Sequence, residues 1–267
     1  MDTKTLAGGI RLVATDLDGT LLAGYRRDVP SEAWPVIERV CDAGVLFLAA
    51  SGRQYASLRR LFAPLADRIG YVCENGALVM VDDEPVVKTS IDRDLAMEIC
   101  HAAMGLPGCY FLASCERKAY VLDDNPELLD RLVRFTGNDM GVVARPEDIP
   151  GTIIKVAFFV PEKDHDEVIA YFARRFGDVC RPVTSGIDWV DLLMEGVNKG
   201  SALQRLGEAT GIDVADMAAF GDAGNDREML EVVGHPYLMD PCSADMEDLA
   251  PRCRRCTSVP SELAKLL

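Results

Sequence analysis

The chain has 267 residues, 49% of them hydrophobic, and a formal net charge of −15. That is enough apolar material for one large domain or two ordinary ones, with no low-complexity tract marking disorder. The acidity argues against a nucleic-acid partner, which calls for a basic face, and no apolar run approaches the length that spans a bilayer.

The opening, Met1 to Thr5, carries no signal-peptide apolar stretch, which points to the cytoplasm. Leu12 to Thr15 reads as a buried strand, and Asp16-Leu17-Asp18-Gly19-Thr20 follows as a loop at its carboxyl end. In open α/β sheets ligands bind at that end. Two carboxylates two residues apart suit a nucleophile and a proton shuttle, and a divalent metal can bridge such a pair to a phosphate. A helix from about Ser31, with Ser31 as N-cap and Gly44 as terminator, leads to a second strand, Val45 to Ala50, ending in Ser51-Gly52-Arg53. A helix bearing Leu58, Leu61 and Phe62 on one face and a strand at Tyr71-Val72-Cys73 continue the alternation. It predicts a parallel sheet with helices on both faces.

The pattern changes after about Val81. Val86-Val87 reads as a short extended piece, and Leu95, Ile99 and Met104 as one face of a helix. Tyr110-Phe111-Leu112 and Ala119 to Leu122 flank Glu116-Arg117-Lys118 as a hairpin, followed by a helix from Pro126 to Phe135. Ile153 to Val160 is a strand, Val168, Tyr171 and Phe172 mark a helix, and strands near Val179 and Trp189 close a compact α+β insert. The insert is placed at 82–188, which leaves 1–81 and 189–267 as a discontinuous core. The alternation then resumes with a helix from Lys199, a strand from Met217 to Phe220, a helix over Gly224 to Leu230, and strands at Pro236 to Met239 and near Thr257.

Nine cysteines without framework spacing read as reduced thiols. Cys253 and Cys256 form a CxxC whose flanking Arg254 and Arg255 could lower a thiol pKa, but a second ligand pair for structural zinc is missing. Three scattered histidines and the lack of a GxSxG element argue against a serine hydrolase.

The pentapeptide Asp16–Thr20 resembles the first motif of the haloacid dehalogenase (HAD) superfamily. Ser51 stands as the second motif, Lys199 as the third, and Gly221-Asp222-Ala223-Gly224-Asn225-Asp226 as the acidic fourth, all in order. With its insert between the second and third motifs, and with Glu74-Asn75-Gly76-Ala77, the chain is similar to the Cof-type phosphatases. The resemblance implies an α/β fold, a Rossmann-like parallel-sheet core with an inserted α+β cap. It also implies a Mg²⁺-dependent phosphatase of small phosphorylated metabolites working through an aspartyl phosphate. Asp16 would be the nucleophile, Asp18 the general acid and base, Ser51 a donor to phosphoryl oxygens and Lys199 the stabilising charge. The resemblance puts Mg²⁺ on Asp16, the backbone carbonyl of Asp18 and Asp222, with Asp226 behind them. Gly52, Arg53, Asn75 and Asn225 fall on the substrate side, and Arg117, Lys118, Lys155 and Trp189 are further candidates for specificity. The departure at Met239-Asp240-Pro241-Cys242-Ser243 suggests a reshaped rim. The partner is a small phosphorylated metabolite, with no membrane, in a monomer or homodimer. A hexose phosphomutase is the nearest alternative, and a phospho-accepting signalling domain a remoter one.

Overall fold

A computed structural model of the chain describes residues 5–22, 28–122, 125–134, 136–184 and 188–267. Its early strands are β1 (Leu12–Thr15), β2 (Leu46–Ala50), β3 (Gly70–Cys73), β4 (Leu78–Val81) and β5 (Glu84–Lys88). Then come β6 (Tyr110–Cys115), β7 (Ala119–Leu122), β8 (Met140–Val143), β9 (Ile153–Phe159), β10 (Cys180–Thr184) and β11 (Trp189–Met194). The last are β12 (Met217–Gly221), β13 (His235–Met239) and β14 (Arg254–Cys256). The residues pack as two compact units, one of Met1–Ser51, Leu58–Val87 and Asn198–Leu267, the other of Gly52–Ser57 and Lys88–Val197.

In the first unit eight strands are ordered β14-β13-β12-β1-β2-β3-β4-β5. β1 is central and buried at every residue, as an uninterrupted apolar run in a parallel sheet requires. Thr15 is in register with Phe220 of β12 and Ala49 of β2. The loops carrying Asp16, Ser51 and Asp222 therefore leave the sheet along the same edge. The sheet's apolar side chains, among them Leu12, Leu48, Val72 and Ala219, bury against Ala202, Leu203 and Leu206 of the helix Lys199–Thr210.

In the second unit the order is β10-β11-β9-β6-β7-β8, with only β7 and β8 parallel. Side chains alternate between its faces with the two-residue period of a strand. Phe111, Ala113, Val156, Phe158, Val190 and Leu192 form one core with the helices Arg93–Met104 and His165–Phe176. Leu112, Ala157, Phe159 and Trp189 form another with the helix Pro126–Arg134. The expected end of that helix, Phe135, lies outside the described residues.

Several expectations shift. β5, read as part of the insert, is the edge strand of the first sheet beside β4. β11, the strand expected near Trp189 to close the insert but left outside it by the boundary after residue 188, pairs antiparallel with β9 and β10 in the second sheet. The insert placed at 82–188 is thus Lys88–Val197, with Gly52–Ser57 added. β4 and β8 were not foreseen: β4 follows a turn within the same apolar stretch, and β8 is short and half-exposed. Ser31 does not cap its helix, which begins at Ala33 behind Glu32; its hydroxyl meets the Glu32 carboxylate at 3.4 Å.

Phe172 stacks on Phe158 with ring centroids 4.1 Å apart and on Phe176 at 5.9 Å. Phe172→Ala should cost about 3–5 kcal/mol in lost burial and cavity formation, read as a lowered denaturant midpoint.

Candidate active site

Asp16 is the first residue beyond β1, its N–H donating to the Phe220 carbonyl at 2.9 Å, so strand pairing itself fixes where the carboxylate emerges. Lys199 opens the helix Lys199–Thr210. A capping box sets that start: Asn198 Oδ1 accepts from Ser201 N at 2.7 Å, and Ser201 Oγ accepts from Asn198 N at 3.1 Å. The ammonium of Lys199 has no exposed surface and donates to Asp16 Oδ1 and to Asp226 Oδ1, each at 2.6 Å. A lysine at a helix start is ordinarily solvated, so its burial was not legible from position alone.

Asp226 turns its other oxygen, Oδ2, back onto its own loop, accepting from Asp222 N at 3.0 Å and Ala223 N at 3.2 Å. Asp222 is half-buried, and its Oδ1 accepts from the Thr20 hydroxyl at 2.6 Å, so Thr20 braces the acidic loop. Gly19 is required here: its φ is +96°, and a Cβ at this position would collide with the Asp222 carboxylate. Ser243, in the divergent segment after β13, donates through its N–H (2.8 Å) and Oγ (3.1 Å) to the Asp222 carbonyl. The departure flagged in the sequence thus braces the acidic loop.

Ser51 is buried, its N–H donating to Val72 O at 2.8 Å and its carbonyl accepting from Asn75 N at 3.1 Å. Asn75 Oδ1 accepts from Asn225 Nδ2 at 3.3 Å. Asp18 is exposed and stands outside the carboxylate cluster. Gly52 and Arg53 belong to the second unit and are not part of that cluster. There the Gly52 carbonyl accepts from Lys155 Nζ at 3.2 Å. Lys155 is buried and pairs with Asp191 at 3.1 Å, a partner sequence reasoning missed because nothing links residues 36 positions apart on two strands. Trp189 packs edge-on against Phe159 in the core beside Pro126–Arg134, and Arg117 lies over the Tyr55 ring. The CxxC is not activated as its flanking arginines suggested. Burial pushes the Cys256 thiol up to about 11 and raises that of Cys253 against the pull of Arg252 and Arg255.

The charge balance of the cluster is uneven. Carboxylate oxygens of Asp16, Asp222 and Asp226 lie within 4.8 Å of one another. Burial, then the charge of Asp226, pushes Asp16 up to about 8, with Asp222 adding and Lys199 opposing. Asp222 is also raised, by burial first, against the Thr20 hydrogen bond. Burial works to lower Lys199, but the charges of Asp16 and Asp226 outweigh it and raise the amine. Three carboxylates around one ammonium leave a deficit of positive charge among hard oxygen donors, and a divalent cation such as Mg²⁺ fits that donor set.

The sequence profile of the haloacid dehalogenase-like hydrolases matches residues 13–253. The chain is 26% identical over 231 residues to the 5-amino-6-(5-phospho-D-ribitylamino)uracil phosphatase YbjI of Escherichia coli, covering 86% of this chain and 85% of that protein. It is 28% identical over 255 residues to an HMP-PP phosphatase of Serratia proteamaculans, covering 91% and 88%. A solved structure from Eubacterium rectale superposes with a TM-score of 0.86 at 28% identity, covering 97% of this chain and all of that one.

Lys199→Met should leave two buried carboxylates without their counter-charge and cost about 3–5 kcal/mol of stability near pH 8. Lys199 holds the raised Asp16 carboxyl down, so its loss lifts that group further above its unfolded value, and proton uptake favours the folded variant more than the folded wild type. The deficit should therefore narrow as pH falls, a trend that denaturant titrations of both proteins across pH would read.

Proposed function

The chain belongs to the haloacid dehalogenase-like hydrolases, as its Cof-type motifs anticipate, and from that premise we propose that it is a Mg²⁺-dependent phosphatase of small phosphorylated metabolites. The observation that carries the reading is the buried ammonium of Lys199 shared by Asp16 and Asp226, with Asp222 beside them. Two relatives of which it spans most of the length are phosphatases by name, one for a phosphoribitylamino-uracil and one for HMP-PP. Both names support a metabolite-sized phosphate ester. Nine free thiols suit a reducing compartment, and the proposal puts the enzyme in the cytoplasm.

In this mechanism an Asp16 carboxylate oxygen attacks phosphorus in line, and the P–O bond to the leaving group breaks as the aspartyl phosphate forms. Asp18, at the exposed second acidic position of the loop, gives a proton to the departing alkoxide. It then takes one from the water that hydrolyses the acyl phosphate, and Asp16 is regenerated. The Ser51 hydroxyl donates to a phosphoryl oxygen, and Lys199 offsets negative charge where it builds up. Asp16, Asp222 and the Asp18 carbonyl are the groups that would hold Mg²⁺, which when bound supplies the positive charge the cluster lacks. Asp226 contributes by position: one oxygen holds Lys199 and the other holds the backbone of residues 222 and 223.

A panel of sugar phosphates, nucleotides, flavin mononucleotide and pyridoxal phosphate, assayed for free phosphate, tests the reading. An isomerised sugar phosphate in place of free phosphate would identify a mutase. Asp16→Asn should reduce kcat by about a thousandfold or more while leaving stability close to wild type or higher; activity above a few per cent in that variant would overturn the nucleophile assignment. Chelation should abolish activity and Mg²⁺ restore it, and Asp222→Ala should raise the Mg²⁺ concentration for half-maximal rate by about tenfold or more.

A further inference from the structure

Between β3 and β4 the chain makes a turn that belongs to none of the four chemical motifs, yet three of them meet it. Glu74, Asn75 and Gly76 have φ of +52°, +54° and +101°, three successive residues in the left-handed region, two of which carry a Cβ. Such a conformation is disfavoured and persists where the surroundings over-determine it. The turn is buried, with Glu74 2% and Asn75 6% exposed.

Each contact of the turn reaches a different part of the site. The Asn75 N–H donates to the carbonyl of Ser51 at 3.1 Å, at the end of β2. The Asn75 side-chain oxygen accepts from Asn225 at 3.3 Å, in the loop that bears Asp222 and Asp226. Gly76 lies so close to Asn198 that a Cβ would overlap the Asn198 carbonyl, and the same Cβ would sit 3.1 Å from the backbone nitrogen of Lys199. Only glycine allows this approach, because both the positive φ and the missing Cβ are needed.

We propose that Asn75 and Gly76 are positioning residues of the phosphatase site: their turn fixes Ser51, the Asn225 loop and the start of the Lys199 helix relative to one another. The inference rests on the functional reading above. It assigns Asn75 to Asn225 and to the Ser51 backbone, where the motif resemblance put it on the substrate side. Held this way, Asn75 acts through the groups it positions. Its effect reaches catalysis through the placement of the Ser51 hydroxyl and the Lys199 ammonium, where displacements near an ångström matter.

Two variants test it, with p-nitrophenyl phosphate as substrate and Mg²⁺ saturating. Gly76→Ala pushes the turn off the Asn198 carbonyl. Asn75→Gly keeps the left-handed backbone and removes only the amide. Each should lower kcat by about 10–100-fold with KM within about twofold of wild type, when rates are normalised to active sites titrated as phosphoenzyme. A merely structural role would lower the melting temperature and the active fraction but leave that normalised kcat unchanged, and this result would overturn the proposal. Because Asn75 acts through Asn225, the double variant Asn75→Gly/Asn225→Ala should be no slower than the slower single variant; independent, multiplicative losses would also overturn it. If Gly76→Ala does not fold, the Asn75→Gly kinetics decide. If the wild type cleaves no phosphomonoester, the functional reading fails by itself, and a crystal structure of Gly76→Ala still decides the positioning: Lys199 displaced from its 2.6 Å contacts with Asp16 and Asp226 supports it, and Lys199 unmoved overturns it.

Discussion

The first unit's site depends on one buried ammonium. Lys199 has lost all contact with solvent, a state a cation tolerates only when its charge is matched and its donors are used. Asp16 and Asp226 supply that match at 2.6 Å each. The pairing links the end of β1, the start of a helix more than 180 residues later and the loop after β12, so three sequence-distant segments share a single electrostatic requirement. Removing Lys199 would strand the charge of both carboxylates.

The same pairing is deliberately incomplete as an energy minimum. One carboxylate would balance the ammonium; Lys199 has two, a third, Asp222, stands within 4.8 Å, and Asp16 is driven toward its protonated form. A purely structural cluster would have no use for that excess, which costs stability in the absence of a cation. Sites that bind a metal and an anion together carry such imbalances because the missing charge arrives with the ligands. Thr20, Ser243 and the backbone of residues 222 and 223 then hold the crowded acids in place by hydrogen bonds rather than by charge.

The sequence made the parallel sheet, the hairpin over Glu116–Lys118 and the acidic loops legible, because apolar runs ending in Asp, Gly and Ser mark strand ends directly. It was weaker where pairing rather than composition decides. β5 has the same look whether it edges the first sheet or starts the insert, and the boundary drawn after residue 188 cut off β11, whose hydrogen bonds run to β9 and β10. Within the site, the motif order pointed to Asp16, Asp222, Asp226 and Lys199, which the fold gathers. The burial of Lys199, the Ser243 brace and the closing of the Glu74–Gly76 turn on Asn198 depend on three-dimensional approach and leave no periodic trace.

The second unit offers an internal comparison that sharpens the meaning of the first. Lys155 is also a buried lysine, reaching Asp191 at 3.1 Å and the Gly52 carbonyl at 3.2 Å. Its pair joins neighbouring regions of β9 and β11, and no cluster of three acids surrounds it among the described residues. Burial of a lysine therefore does not by itself distinguish structure from chemistry in this chain. What marks Lys199 is its surroundings: two carboxylates bonded to the ammonium and a third close by. The surplus of negative charge, set at the carboxyl edge of a parallel sheet, is the feature of the Lys199 cluster on which the proposed cation and phosphate site rests.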